Sequence, residues 1–149
     1  MTKGLLRLRP ATIEDAQILF EWRNDPQVRA ASHNQAEISF EDHLAWFTDS
    51  LANPDRRLYI VEKDGISVGT VRSDWAGDAY TLSWTVKPEA RGKGIGKRMV
   101  LLLAEQIEKT IRAEVKVGNL ASVKIAQEAG MQLDYIKDEV MYFSRKAPG

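Results

Sequence analysis

Arg91-Gly92-Lys93-Gly94-Ile95-Gly96 stands between a strand-like run, Ala79 to Val86, and an amphipathic run that starts at Ile95. Alternating glycines let main-chain amides approach an anion closely and take up positive φ. A helix start adds N–H groups without internal partners and the positive end of the helix dipole. Arg91, Lys93 and Lys97 add charge around the bend. Strand, glycine bend and helix in that order form a phosphate cradle. A plain flexible loop needs neither three alternating glycines nor interleaved Arg and Lys. The run is not G-x-x-x-x-G-K-[ST], which sets aside a P-loop nucleotide hydrolase. It opens like G-x-G-x-x-G, but position 97 is Lys. Nor does it follow a first strand at the chain start, as in a Rossmann unit.

Outward from the bend, Ile95 to Thr110 reads as a helix whose inner face holds Met99, Leu102, Leu103, Gln106 and Ile107. Ile111 to Val117 alternates apolar and polar residues, a strand pattern. Ala121 to Ala129 follows as a helix closed by Gly130. Met131–Lys137 and Glu139–Phe143 read as a closing pair of strands, and the last three residues as frayed. On the other side, Leu58–Glu62 and Ile66–Arg72 flank Lys63-Asp64-Gly65, a hairpin signal. Leu5–Arg9 is a short strand. Thr12-Ile13-Glu14-Asp15 and Ser39-Phe40-Glu41-Asp42 resemble capping boxes that open helices to about Asn24 and Leu51. Residues 26–38 read as loop or irregular helix. The resulting order is β-α-α-β-β-β-α-β-α-β-β, a mixed α/β chain without repeat or linker.

The chain has 149 residues, with 21 basic and 21 acidic side chains and no cysteine. That length predicts one domain over 1–149. The even charge gives no electrostatic footprint for nucleic acid. Lack of cysteine excludes disulfides and thiolate chemistry. The first ten residues lack a signal-peptide core, and no apolar run is long enough for a bilayer. We expect a cytoplasmic protein without membrane contact. Two histidines without metal-spaced partners predict no metal site.

Arg91 to Gly96 also matches [RQ]-x-x-G-x-[GA], the hallmark of the GNAT superfamily of N-acetyltransferases. The lead-in Trp84-Thr85-Val86-Lys87-Pro88-Glu89-Ala90, the run Asn119-Leu120-Ala121-Ser122 and the later Gly130-Met131 are similar to that family's segments, and the element order agrees along nearly the whole chain. The resemblance implies a central, mostly antiparallel twisted sheet of about seven strands, splayed between strands 4 and 5, with about four helices. It implies acetyl-CoA as cofactor. Backbone of Thr85 and Val86 would pair with the pantetheine arm. The amides and charges of Arg91, Gly92, Lys93, Gly94, Ile95, Gly96 and Lys97 would hold the pyrophosphate, and Asn119 would contact the arm.

For the chemistry, an ammonium must lose a proton before it attacks a thioester. Glu114, five residues before Asn119, stands where ribosomal-protein-type members carry a catalytic Glu. Its alternative is a surface carboxylate paired with Arg112 or Lys116. The usual tyrosine acid is missing, because its position holds Ala126. Ser122 stands where some members have a hydroxyl suggested to act instead. It equally suits a capping or packing residue. Tyr135, Tyr142 or water are further sources of the proton.

The acceptor side is read from Trp22-Arg23-Asn24-Asp25, Arg29, His33-Asn34 and His43 to Phe47. This spread resembles the branch that acetylates amino groups of nucleotide-linked sugars, such as the pseudaminic-acid-pathway enzyme. Arg23 and Arg29 suit a diphosphate, Trp22, Trp46 and Phe47 suit stacking, and His33 and Asn34 suit hydroxyl contacts, with Asn24 a further acceptor-side candidate. Trp46 and Phe47 also fit a core, and Asp25 and Arg29 also fit a simple pair. His43, in a first helical turn, reads as a surface residue. A protein N-terminal amine is the alternative acceptor, an antibiotic amine the next, and a non-catalytic acyl-CoA-binding domain the alternative class. The partner is thus a small-molecule amine, with the protein a monomer or homodimer.

Overall fold

The computed structural model describes residues 5–32 and 36–148. Strand β1 (Leu6–Pro10) leads through a 3-10 turn (Ile13–Asp15) to helices α1 (Ala16–Arg23), α2 (Pro26–Ala31) and α3 (Phe40–Ala52). Strands β2 (Arg56–Lys63), β3 (Ile66–Trp75) and β4 (Tyr80–Val86) follow. Then come α4 (Ile95–Glu105), β5 (Ile111–Lys116), α5 (Leu120–Glu128), β6 (Gln132–Lys137) and β7 (Val140–Arg145). The seven strands form one sheet in the order β1-β2-β3-β4-β5-β7-β6. All neighbours are antiparallel except β4 and β5. This is the mixed, mostly antiparallel architecture expected.

The helices differ from expectation in three places. The described residues hold five α-helices where about four were expected, the extra one being Pro26–Ala31 within the stretch read as loop or irregular helix. Asp25 caps it by accepting from the N–H groups of Gln27 and Val28, and Pro26 supplies the preset φ of a first turn. Secondly, the first helix starts as a 3-10 turn. The Asp15 carboxylate accepts the Thr12 N–H at 2.8 Å there, and Arg9 clamps it at 2.7 Å. Thirdly, α4 stops at Glu105 and does not run to Thr110. Arg145 of β7 donates to the carbonyls of Ala104, Ile107 and Lys109, so these end groups find a partner outside the helix. Its inner face is Ile95, Gly96, Met99, Val100, Leu103 and Ala104; Leu102 is only half-buried.

Alternation along the strands separates two cores. Val61, Val71, Leu82, Ala113, Val115 and Phe143 pack with Met99, Val100 and Leu103 of α4 and Ala126 of α5. On the opposite face, Ile60 packs with Leu19, Trp22 and Phe47 of α1 and α3. His43 belongs to this second core and is not a surface residue. It is 1% exposed and stacks on Phe47 at 6.0 Å, and its Nε2 lies 3.0 Å from the Ala16 carbonyl oxygen.

Candidate active site

Strands β4 and β5 pair only at Tyr80↔Ile111 and Thr81↔Arg112. Both continue, to Val86 and Lys116, without further pairing. Two parallel strands that part in this way leave main-chain groups along an open gap. The edge of that gap contributes to a cavity of about 810 Å³, lined by Thr81 to Val86 on one side and by Glu114, Val115, Lys116, Asn119 and Ser122 on the other. The cavity extends to Arg23 of α1, Trp46 of α3 and Arg72 and Asp74 of β3.

The glycine bend begins at one end of this cavity, where Arg91 lines the wall. Gly92 and Gly94 have φ of 77° and 74°, a region that side chains disfavour. Among the described residues, no protein group accepts from the amides of Gly92 to Lys97. Gly96 serves differently. A Cβ there would stand 2.5 Å from Ile125 Cδ1, so this glycine lets α4 approach α5. Lys93 is exposed, and Lys97 lies 3.9 Å from Glu128. Arg91 is not simply a free charge. Its Nε donates to the Val86 carbonyl, Nη2 donates to Asp25 at 3.0 Å, and Nη1 bonds Gln27. It thereby ties the start of α2 to the bend.

Thr85 and Val86 end β4 on the cavity wall. Asn119 caps α5, its Oδ1 accepting the Ser122 N–H at 3.3 Å. Trp84 Nε1 lies 3.2 Å from Ser122 Oγ. Indole N–H only donates, so the serine oxygen accepts here and its own hydrogen is left for another partner. Glu114 shares β5 with Arg112, which bonds Asp78, and Lys116, which donates to the Ala30 carbonyl. Across the strand pair, Glu114 stands opposite Tyr142. Burial first, and then the charge of Glu114, raise the Tyr142 phenol above its ordinary range. Tyr142 stacks on Tyr135 at 4.5 Å, and neither lines the cavity.

On the acceptor side, Arg23 and Trp46 reach the cavity. Trp22 and Phe47 turn into the helical core. Asn24 acts as a clamp: its side chain exchanges two hydrogen bonds of 3.0 Å with the backbone of Ile38. Arg29 pairs with Glu37 at 3.4 Å, not with Asp25. His33 and Asn34 lie outside the described residues. Sequence reasoning missed Trp84, Arg72 and Asp74. A period-2 reading puts Arg72 and Asp74 on one strand face, but only the sheet order brings that face to the cavity.

Residues 6–132 match the family described as the acetyltransferase (GNAT) domain. The chain belongs to this family. A spermidine N-acetyltransferase from Vibrio cholerae, solved with CoA and spermine, has the same fold with a TM-score of 0.84. The identity is 16%, and the match covers 95% of each chain. A domain from Methanocaldococcus jannaschii matches with a TM-score of 0.86 at 19% identity, over 96% of this chain and 99% of its own. The ribosomal L7/L12 alpha-N-protein acetyltransferase RimL, solved with coenzyme A, matches at 0.83 and 14% identity, over 99% and 96%. No curated protein matches this GNAT chain. Among its described residues no helix is long and apolar enough to cross a membrane, and no His, Asp or Glu side chains group as metal ligands.

Proposed function

We propose that this GNAT protein moves the acetyl group of acetyl-CoA to the amino group of a nucleotide-linked sugar. The observation that carries the reading is the continuity of one cavity, from the open edge between β4 and β5 to Arg23 and Trp46. Glu114 and Ser122 both stand on its wall. Its volume of about 810 Å³ falls within the range of small-molecule sites.

The residues fit coenzyme A. Unpartnered amides from Gly92 to Lys97 suit its pyrophosphate. The unpaired edges of β4 and β5 suit an amide-bearing arm, and the Asn119 amide keeps its two N–H donors for it. That the V. cholerae enzyme and RimL were solved with coenzyme A supports the assignment. Bound acetyl-CoA supplies a thioester carbonyl and a thiolate leaving group.

Glu114 takes a proton from the acceptor ammonium, directly or through one water, and so restores the lone pair that attacks. A main-chain N–H on the β4 edge meets the charge that grows on the carbonyl oxygen. Ser122, accepting from Trp84, turns its hydroxyl hydrogen to the departing sulfur.

The test is release of free thiol from acetyl-CoA in the presence of a UDP-linked amino sugar, a short peptide or a polyamine. The nucleotide sugar is expected to give the highest kcat/KM. A peptide preference would replace the acceptor, and coenzyme binding without turnover on any amine would overturn the enzymatic reading. Replacing Glu114 by Gln is expected to lower kcat by about 100-fold or more with unchanged coenzyme affinity. Normal turnover across pH in that variant would remove Glu114 from the mechanism.

A further inference from the structure

We infer that Arg23 and Arg72, set against Trp46, form a subsite for a phosphate group carried by the acceptor. The inference rests on the acetyl-transfer reading for the position of the amine, and adds a binding role for Arg72 of β3, which no motif marks.

Three guanidinium groups surround one indole. The Cζ atoms of Arg23, Arg56 and Arg72 lie 4.7, 5.7 and 5.8 Å from the Trp46 ring centroid. All three lie within cation–π reach of the ring, Arg23 nearest. Asp74 is the carboxylate among them. Its Oδ1 accepts from Arg56 at 2.6 Å and its Oδ2 from Arg72 at 3.0 Å. Arg56 is further held by the Ser50 hydroxyl at 2.8 Å. One carboxylate therefore serves two of the three cations.

A purely architectural role explains Arg56, which ties β2 to α3 and β3. It does not explain Arg23. Among the described residues Arg23 makes no ion pair, and its Nη1 is buried with no hydrogen-bond partner. Nor does it exhaust Arg72, whose remaining contact is a 3.5 Å approach to the Ser83 hydroxyl. Burial lowers the pKa of both groups from the usual arginine value; at Arg72 the Asp74 charge opposes that shift, and at Arg23 no carboxylate does. Arg23, Trp46, Arg72 and Asp74 all line the cavity, whereas Arg56 does not. The charged wall as a whole is Arg23, Arg72, Arg91 and Lys116 against Asp74 and Glu114.

Register sets the distance to the reacting amine. Arg72 pairs with Ser83, and the β4–β5 register at Thr81↔Arg112, continued by two residues, brings Ser83 level with Glu114. Arg72 and Glu114 then stand on one face with β4 between them, roughly 10 Å apart or more where the strands part. One sugar ring with its amine at one end and a phosphoester at the other spans such a gap. A polyamine or an aminoglycoside would bring like charge to the two arginines.

The experiment uses protein saturated with coenzyme A, so that the glycine bend cannot take the probe. UDP and inorganic phosphate are titrated by calorimetry into wild type, Arg23→Gln and Arg23→Lys. UDP is expected to bind wild type, to weaken about 10- to 100-fold in the Gln variant and to recover in part with Lys. In steady-state assays of the wild type at saturating acetyl-CoA, inorganic phosphate is expected to compete with the acceptor. Equal UDP affinity in all three proteins, or no competition by phosphate, overturns the subsite. If matched amines with and without a phosphate are acetylated equally well, the subsite fails while acetyl transfer stands. If no amine is acetylated yet UDP binding still depends on Arg23, the subsite stands and acetyl transfer fails.

Discussion

Gly69 and Gly96 both lack room for a methyl group, yet the two neighbours differ in what they allow. A Cβ on Gly69 would meet the Thr85 carbonyl oxygen at 2.6 Å, and main chain inside a sheet does not step aside. A Cβ on Gly96 would meet the terminal methyl of Ile125, which can rotate, and alanine gains about 1 kcal/mol of helix propensity over glycine. Gly69→Ala is therefore expected to lose about 1–3 kcal/mol in urea unfolding, and Gly96→Ala to stay near neutral. His43 allows a pH prediction. Burial lowers its pKa below the ordinary 6.5. The unfolded chain takes up a proton as pH falls through 6.5, while the folded chain resists. The stability contributed by neutral His43 is thus complete above 6.5, falls as pH drops below it, and levels off once the folded-state pKa is passed. Urea midpoints between pH 8 and 5 should fall for the wild type and less steeply for His43→Phe. At this scale the sequence was readable where chemistry is local. Positive φ at Gly92 and Gly94 follows from the motif itself. The packing duty of Gly96 and the burial of His43 depend on Ile125 and Phe20, partners that periodicity does not name.

Helix α2 shows why an element escapes a pattern reading. It has no buried residue, so it has no apolar stripe to detect. What forms it is local: Asp25 as cap, Pro26 as first residue, and the tie from Asp25 to Arg91. Asp25→Ala removes the cap and the tie together. It is expected to cost about 1–2 kcal/mol and to speed hydrogen exchange of the α2 amides, with those of α4 unchanged. Unchanged exchange in α2 would mean that packing, not the cap, holds it. The end of α4 failed for a complementary reason. Gln106 and Ile107 continue the helical spacing, but Arg145, about forty residues later, takes the terminal carbonyls. Strand edges were read short by two or three residues at β2 and β3, whose flanking Arg56, Arg57 and Ser73 to Trp75 are held by pairing rather than by alternation.

For the whole molecule, the sheet and its parting strands were anticipated through the family resemblance that the glycine bend and the order of elements carry. The far cavity wall followed only in part: Arg23 and Trp46 were read from the sequence, Arg72 and Asp74 were not. Arg23, Trp46, Arg72 and Asp74 come from α1, α3 and β3, and only the folded sheet gathers them. The seam between β4 and β5 has a further consequence. Two registered pairs join the β1–β4 half of the sheet to the β5–β7 half, and the rest of the seam is unsewn. A donor molecule lying in it would knit the halves as an eighth strand does. The melting temperature should then climb with coenzyme A concentration, by the equivalent of about 2.7 kcal/mol at one hundred times the Kd. The reagent would be masonry as well as fuel, and a cell short of coenzyme A would hold a slacker enzyme.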